Sequence, residues 1–592
     1  MMTAKTTTKA PARTGNTEAT TRIKGADLVV KCLERAQVDT IFAYPGGASM
    51  ELHQALRHSD IRVVLPRHEQ GGAFAAAGYA RATGRTGVCM ATSGPGATNL
   101  VTGIADAYMD SAPLVAITGQ VPQSFIGKNA FQETDIIGIT RPIVKHSYLV
   151  LDAADMPEVF AEAFHLANSG RPGPVVIDLP KDVQQTVSDV EFPDRPELKA
   201  YSLPHEAAEA DVERLREAIR KCERPCIYAG GGVINSDAHE ELLAFAETYN
   251  LPVATSLMGI GAFPEEHPLS LKWPGMHGTY YANYAVNECD LLIGIGTRYD
   301  DRVTGNVDTF AAHAIIAHVD IDPSEINKNK RADIGMVCDA KDLLTKMLRD
   351  PIHKEYEAWH AQIREWKETH PLAYKPSDRI QPQRVVEELY RQTEGDAIVV
   401  TGVGQHQMWA AQYYKFRRPR QLLTSGGLGT MGLGLPSAIG AKIGCPQDTV
   451  VLIDGDGSFQ MNIQELATCY CEKLPVKVML LNNQHLGMVM QWEDRFMQGN
   501  RAHTYLGPID HPEAVGQGDG QGPTQRYPNF VEIAKGYGCG GSYVKNQADL
   551  AAALEEMIAY DGPFVLDVEV PYQEHVLPMI PGGHTVRDII RK

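Results

Sequence analysis

TVVLIDGDGSFQMNIQELATCYCEKLPVKVMLLNN, residues 449–483, decides the fold. Thr449–Ile453 is an apolar, β-branched run, the pattern of a strand buried on both faces. A sharp turn follows, Asp454-Gly455-Asp456-Gly457-Ser458. Asn462–Lys473 reads as a helix with Ile463, Leu466, Cys469 and Tyr470 on one side. Val476–Leu481 is a second apolar strand, ending in Asn482-Asn483. Strand, helix and strand make a βαβ unit whose two strands are expected to lie parallel and adjacent.

That geometry sets Asp456 and Asn483 side by side, just past the carboxyl ends of neighbouring strands, where open α/β sheets bind ligands. A carboxylate and an amide oxygen there suit a hard cation such as Mg2+, which fills its shell with phosphate oxygens and water. Gly455 and Gly457 let backbone N–H groups approach a phosphate, beside Ser458 and the positive end of the next helix. The reading is a metal-bridged diphosphate site. An ordinary βαβ turn explains GDG equally well when GDG stands alone; the Asn-Asn pair after one more helix and strand makes the match far more specific.

Outward from this unit, the same style recurs. Lys24–Val38 is a helix with an apolar stripe. Strand-like runs then end in glycine or polar turns: Thr40–Ala43, Ile61–Leu65, Val88–Ala91 and Leu114–Ile117. Gly71–Arg85 is a small-residue helix that lets neighbouring backbones approach. A second set of strands comprises Cys226–Ala229, Leu291–Ile295 and Ile315–Ile321, with glycine turns and acids at their ends, a pattern suited to a nucleotide. A third comprises Ala397–Val400, Gln421–Thr424 and the opening stretch, and it looks like an architectural copy of the first. Gln184–Pro204 reads as a linker, and Pro351–Gln383, with many charges and several prolines, as a second boundary. The fold class is therefore α/β, three doubly wound domains with mostly parallel sheets. The expected division is a flexible tail over 1–22, then units over 23–185, 186–375 and 376–592. Gly427-Leu428-Gly429-Thr430-Met431-Gly432 satisfies the dinucleotide fingerprint GxGxxG, but that short pattern is common, and close packing beside another cofactor explains its glycines as well.

With 592 residues the chain is too long for one core. Its 55 basic and 73 acidic residues give a net charge of −18, which argues against nucleic acid or an anionic membrane as main partner. No apolar run is long enough to span a membrane. Ten cysteines without a CxxC pattern point to buried thiols in a reducing compartment, hence a cytoplasmic setting. The Thr-rich, acid-poor segment before Arg22 reads as a tail; an organellar stroma is the alternative if it is a transit peptide.

The GDG…NN unit is the motif of thiamine diphosphate enzymes. Together with YPGGASMELHQAL (44–56), PRHEQGG (66–72), ATSGPGATNLVTGIADA (91–107), AITGQVP (116–122), AFQET (130–134), SGRPGPVVIDLPKD (169–182) and LGMVMQWEDRF (486–496), it resembles the catalytic subunit of acetolactate synthases from about Arg22 to the end. The resemblance implies three cofactors: thiamine diphosphate, Mg2+ and FAD. It implies that pyruvate is decarboxylated and its two-carbon unit added to pyruvate or 2-ketobutyrate, the first common step of branched-chain amino-acid synthesis. Glu69 matches the glutamate that contacts the aminopyrimidine ring, reaching it across the interface of a homodimer (or tetramer). Met431 matches the apolar wedge under the coenzyme. Asp456 and Asn483 match the side-chain Mg2+ ligands and His485 a backbone-carbonyl ligand. Gln132 and Lys181 match active-site neighbours. Arg302, held by Asp301, matches the receiver of the second ketoacid's carboxylate, and Trp492 the residue favouring the larger acceptor. Arg171, Gly230, Gly231, Arg298, Asp320 and Asp339 match FAD contacts in the middle domain, where FAD does no net redox work. Ala48, Pro122, Ala130 and Trp492 match positions lining a herbicide channel.

The family often adds a separate small regulatory subunit. Residues 507–529 form a Gly-rich insertion longer than the family pattern. The rival readings are separable. Pyruvate oxidase would consume oxygen and not need Arg302 or Trp492; glyoxylate carboligase lacks a glutamate at position 69; catabolic acetolactate synthase lacks FAD. A non-catalytic relative would have lost Glu69 or the metal ligands.

Overall fold

The computed structural model describes residues 21–591 apart from 197, 199, 200, 204, 516 and 518–526. Three parallel sheets carry the chain. The first has six strands in the spatial order Arg62–Val64, Thr40–Ala43, Gly87–Ala91, Leu114–Gln120, Pro174–Pro180, His146–Leu149. The last has six in the order Leu422–Leu423, Ile398–Thr401, Val450–Gly455, Lys477–Asn482, Phe564–Glu569, Gly540–Val544. Ranked by chain position, both follow the same permutation, second-first-third-fourth-sixth-fifth, so the two units are copies in topology. Between them lies a five-stranded sheet, Val253–Thr255, Pro225–Ala229, Leu291–Ile295, Ile315–Asp320, Ile334–Val337. The central strands are buried along their whole length because helices cover both faces, which is why they read as continuous apolar runs rather than alternating ones.

The outer two units share one core. The small-residue helix Glu69–Thr83 packs against helix Gly434–Gly444, backbone on backbone. A Cβ at Gly440 would stand 1.9 Å from the Ala75 carbonyl oxygen, and one at Gly78 2.4 Å from that of Ser437. Gly440→Val is therefore expected to force the helices apart and lower the melting temperature by more than the ~1–3 kcal/mol typical of an overpacked core implies. A thermal melt checks it.

Three local expectations need correction. Asn462–Lys473 is not one helix: a 3-10 turn, Ile463–Glu465, precedes a short helix, Leu466–Cys471. The break arises because Glu465 turns its carboxylate toward the first unit, accepting from the N–H groups of Arg67 (2.9 Å) and His68 (3.1 Å). Tyr470, placed on the apolar side, is exposed. The stretch read as the first linker contains a strand, Val187–Val190, paired antiparallel with Thr21–Lys24, so this ribbon crosses both the tail and the first boundary. The tail before Thr21 lies outside the described residues. All ten cysteines are free, and eight are buried. Among the described residues no helix is long and apolar enough to cross a membrane.

Candidate functional site

The register of the decisive unit is parallel, with Gly455 opposite Leu481. Asp456 opens the short helix Asp456–Gln460 directly after its strand, and Asn483 follows its own strand by one residue. Both line a cavity of about 90 Å3 with Met431, Gly455, Gly457, Ser458 and His485. Asp456 is buried, and its Oδ2 has no hydrogen-bond partner. Burial pushes its carboxyl up to about 8; the backbone N–H groups of Asp456, Asn483 and Gly457 oppose that rise and Asp567 adds to it. An isolated buried carboxylate is costly unless a cation or donor meets it. Asn483 Oδ1 accepts from the His485 N–H at 3.0 Å and keeps a second lone pair. The His485 ring is occupied elsewhere: Nδ1 lies 2.8 Å from the Asn483 carbonyl, and the ring packs against Tyr505 and Tyr572. Its main chain is thus what it can offer a metal. No cluster of three or more His, Cys, Asp or Glu that could hold a metal occurs among the described residues, so a cation here needs amide, carbonyl and phosphate oxygens to complete its shell. The donor set fits Mg2+ carried with a diphosphate.

Gly457 shows why the cradle needs glycine: a Cβ there would lie 2.9 Å from Leu486 and 3.2 Å from Leu506. Those leucines close over the turn because residues 484–486 and 504–506 pair, through Leu486 N–H to the Thr504 carbonyl and Leu506 N–H to that of Gln484. Beyond them, residues 516 and 518–526 of the Gly-rich insertion fall outside the described residues.

Sequence reasoning missed Gln405 and His406, which line the same cavity. His406 Nε2 stands 3.2 Å from Asp454 Oδ1 but makes no hydrogen bond, while that oxygen accepts the Gly455 N–H at 2.9 Å. Asp454 is thereby the brace of the turn. Gly404-Gln405-His406 matches no common motif; its only signal was its place after the strand Ile398–Thr401.

Glu69 does not line this cavity. It starts the helix Glu69–Thr83, half-buried, and its Oε2 accepts from Asn99 Nδ2 at 3.0 Å. A Cβ at Gly96 would be 3.4 Å from Glu69 Oε1, and one at Gly94 2.9 Å from the Gln132 carbonyl oxygen. Lys181 begins the helix that follows strand Pro174–Pro180. Glu69, Gln132 and Lys181 thus all follow carboxyl ends of the first sheet.

A larger cavity of about 750 Å3 lies where the three units meet. Arg171, Gly231, Arg298, Asp320 and Asp339 line it, and so do Arg302 and Trp492; Gly230 does not. A Cβ at Gly230 would sit 2.0 Å from the Gly296 carbonyl oxygen, so that glycine serves strand-turn packing. Burial pushes the Asp320 carboxyl up to about 6, while the Asp322 N–H bound to it pulls the other way. Arg171 is already paired, at 2.6 Å from Glu325 and 3.6 Å from Asp322. The volume, the glycine-lined wall and the strand-end acid fit a large nucleotide cofactor.

The Arg302–Asp301 pair is 3.8 Å apart with both side chains mostly exposed, so Asp301 holds the guanidinium only weakly. The backbone is fixed instead by Asp300, whose carboxylate accepts the Arg302 N–H at 3.0 Å. Trp492 packs against Phe496 along the helix Gly487–Phe496, the ring centres 4.9 Å apart and the planes tilted by 40°.

The GxGxxG turn is likewise accounted for. The N–H groups of Gly426 and Gly427 donate to Asp110, at 2.9 and 2.7 Å. The N–H of the first fingerprint glycine is thus satisfied by a carboxylate of the protein itself.

Three family models match the chain: thiamine pyrophosphate enzyme, N-terminal TPP binding domain, over residues 23–139; the central domain of such enzymes over 212–347; and their C-terminal TPP binding domain over 402–568. The chain is 53% identical over 577 residues to a chloroplastic acetolactate synthase 1 of Nicotiana tabacum, covering 96% of this chain and 85% of the relative. It is 53% identical to that of Oryza sativa subsp. japonica (96% and 88%) and 52% identical to the chloroplastic acetolactate synthase of Arabidopsis thaliana (96% and 84%).

Proposed function

The chain belongs to the acetolactate synthase family of thiamine pyrophosphate enzymes, and from that premise we propose how its residues divide the work. The enzyme condenses pyruvate in branched-chain amino-acid synthesis. Thiamine diphosphate, when bound, supplies the carbon nucleophile that carries the two-carbon unit of pyruvate. The observation that carries the assignment of the site is the partnerless Oδ2 of buried Asp456 beside Asn483 and the glycine turn.

Asp456, Asn483 and the His485 carbonyl would hold Mg2+, and the N–H groups of Gly455, Gly457 and Ser458 would receive the diphosphate. Met431 supports the coenzyme from the same cavity. We take 23–185, 186–375 and 376–592 as the three working units, offering Glu69, the FAD cavity and the metal clamp respectively.

The cavity beside Asp456, about 90 Å3, falls well short of the ~300 Å3 of small-ligand pockets. One copy therefore offers half a site, and Glu69 of a second copy completes it, holding the proton at the aminopyrimidine nitrogen. Phe131, 89% exposed beside Gln132, and Val489, 53% exposed on the cavity wall, are apolar surfaces suited to burial between two copies. Gln132 and Lys181 then flank the reacting carbons, excluding water.

Arg302 pairs with the carboxylate of the second ketoacid, and Trp492 packs on that acceptor's side chain. Arg171, Gly231, Arg298, Asp320 and Asp339 would hold FAD in the larger cavity. The free thiols suit a reducing cytoplasmic or stromal compartment.

Purified enzyme given pyruvate, with and without 2-ketobutyrate, tests this. Acetolactate alone and then acetohydroxybutyrate are the expected products by mass; oxygen uptake without either contradicts the reading. Trp492→Leu is expected to lower the preference for 2-ketobutyrate over pyruvate by about tenfold, read from the product ratio in a competition assay. It is also expected to reduce inhibition by sulfonylureas, read from a dose–response curve.

A further inference from the structure

Three charged side chains that the reaction does not use are enclosed where the units meet. Arg81 belongs to the helix Glu69–Thr83; Asp106 lies in the helix Val101–Met109, and Asp110 ends it. The Arg81 side chain is 10% exposed and both carboxylates are fully buried. Arg81 Nη2 lies 2.6 Å from Asp106 and 3.3 Å from Asp110.

All three reach across to one loop of the last unit. Arg81 donates to the Thr424 carbonyl, and Asp106 accepts from the hydroxyls of Ser425 and Thr430. Asp110 takes the N–H groups of Gly426 and Gly427, one on each oxygen. Two successive glycine N–H groups turned toward one anion make a nest of the kind that elsewhere receives phosphate. Burial, with the neighbouring Asp106, pushes the Asp110 carboxyl up, while Arg81 and the two N–H bonds oppose that rise.

Met431 follows this loop directly and is pinned on both sides. Thr430 N–H donates to Ser425 Oγ at 2.9 Å, and Gly432 N–H to Ser458 Oγ at 3.2 Å. Ser458 itself lines the Asp456 cavity, so the loop joins the carboxylate lock to the coenzyme cradle. Asp110 and Gly426 also line the larger cavity.

We propose that Asp110 is a positioning residue: its carboxylate, clamped by Arg81, fixes the 425–430 loop so that Met431 meets the coenzyme at working height. The proposal rests on the reading of Met431 as coenzyme support. It predicts that the lock is a replaceable anion and not merely a packed side chain.

Asp110→Gly removes the carboxylate and leaves room for formate. The measurement is the thiamine diphosphate concentration that gives half of the near-ultraviolet circular dichroism change of the bound coenzyme, with Mg2+ present, together with the melting temperature. Wild type must give this signal; its absence would overturn the functional reading itself. In Asp110→Gly that concentration is expected to rise at least tenfold, since misplacements of about 1 Å commonly cost two orders of magnitude in function. Formate should restore it, and chloride at equal ionic strength should not. An unchanged concentration, or a rise that formate leaves in place, overturns the proposal. Should Asp110→Gly not fold, Asp110→Asn decides: it keeps one acceptor, so a several-fold rise without formate rescue is expected, and wild-type behaviour refutes the role.

Discussion

Asp456→Asn is expected to lose at least 99% of turnover, a fall of about two orders of magnitude or more, while keeping its fold. The side chain is buried with one oxygen that meets no donor, and burial pushes the carboxyl up to about 8. A divalent cation is the partner that makes a charge tolerable in that position. The amide keeps the shape and removes the charge, so the metal-free protein should melt no lower than wild type. The protection that Mg2+ with thiamine diphosphate gives wild type, a rise in melting temperature by mass action, should shrink or vanish. Thermal melts with and without the pair, beside a product assay, check both halves. Wild-type turnover at ordinary Mg2+ concentrations would remove the metal clamp from the account.

Glu69→Gln is expected to behave in the opposite way in binding and similarly in turnover. Its Oε2 accepts from Asn99, and a glutamine oxygen can do the same. The fold and the melting shift produced by Mg2+ and coenzyme should therefore survive. What the amide cannot do is hold and return a proton, a contribution of roughly 10²–10⁴ in rate. Turnover should fall by that factor, measured at saturating coenzyme. A variant at wild-type rate would exclude Glu69 from proton handling.

Much of the fold was legible because parallel strands buried on both faces leave continuous apolar runs. Thr40–Ala43 and Leu291–Ile295 fall where those runs placed them. The errors have physical causes. The helix over 462–473 broke because Glu465 bonds to the backbone of Arg67 and His68 and Asn462 to Gln70, contacts between units that no local periodicity encodes. The strand Val187–Val190 escaped notice because it is short and largely exposed, and its partner lies at Thr21–Lys24. That Asp456, Asn483, Gly455 and Gly457 gather around one cavity was readable because a βαβ unit sets the carboxyl ends of two adjacent parallel strands side by side. Gln405 and His406 were not, since nothing in their order marks them. The Asp301–Arg302 pairing came from the resemblance alone, and the two side chains stand 3.8 Å apart and largely exposed, not as a close, sheltered pair. The GxGxxG turn misleads because the N–H of its first glycine, Gly427, with that of Gly426 before it, is satisfied by an acid more than 300 residues away in the chain, a partner invisible to any short pattern.

On this reading, Glu69 of one copy and Asp456 of another serve the same coenzyme. Mixing the two inactive variants, Glu69→Gln and Asp456→Asn, after dissociation and reassembly tests it most directly. If the site is shared, each mixed dimer holds one doubly altered site and one intact site. Random pairing then restores about a quarter of wild-type activity. If both residues serve from the same chain, every site in the mixture carries one defect, and activity stays at the level of the separate variants.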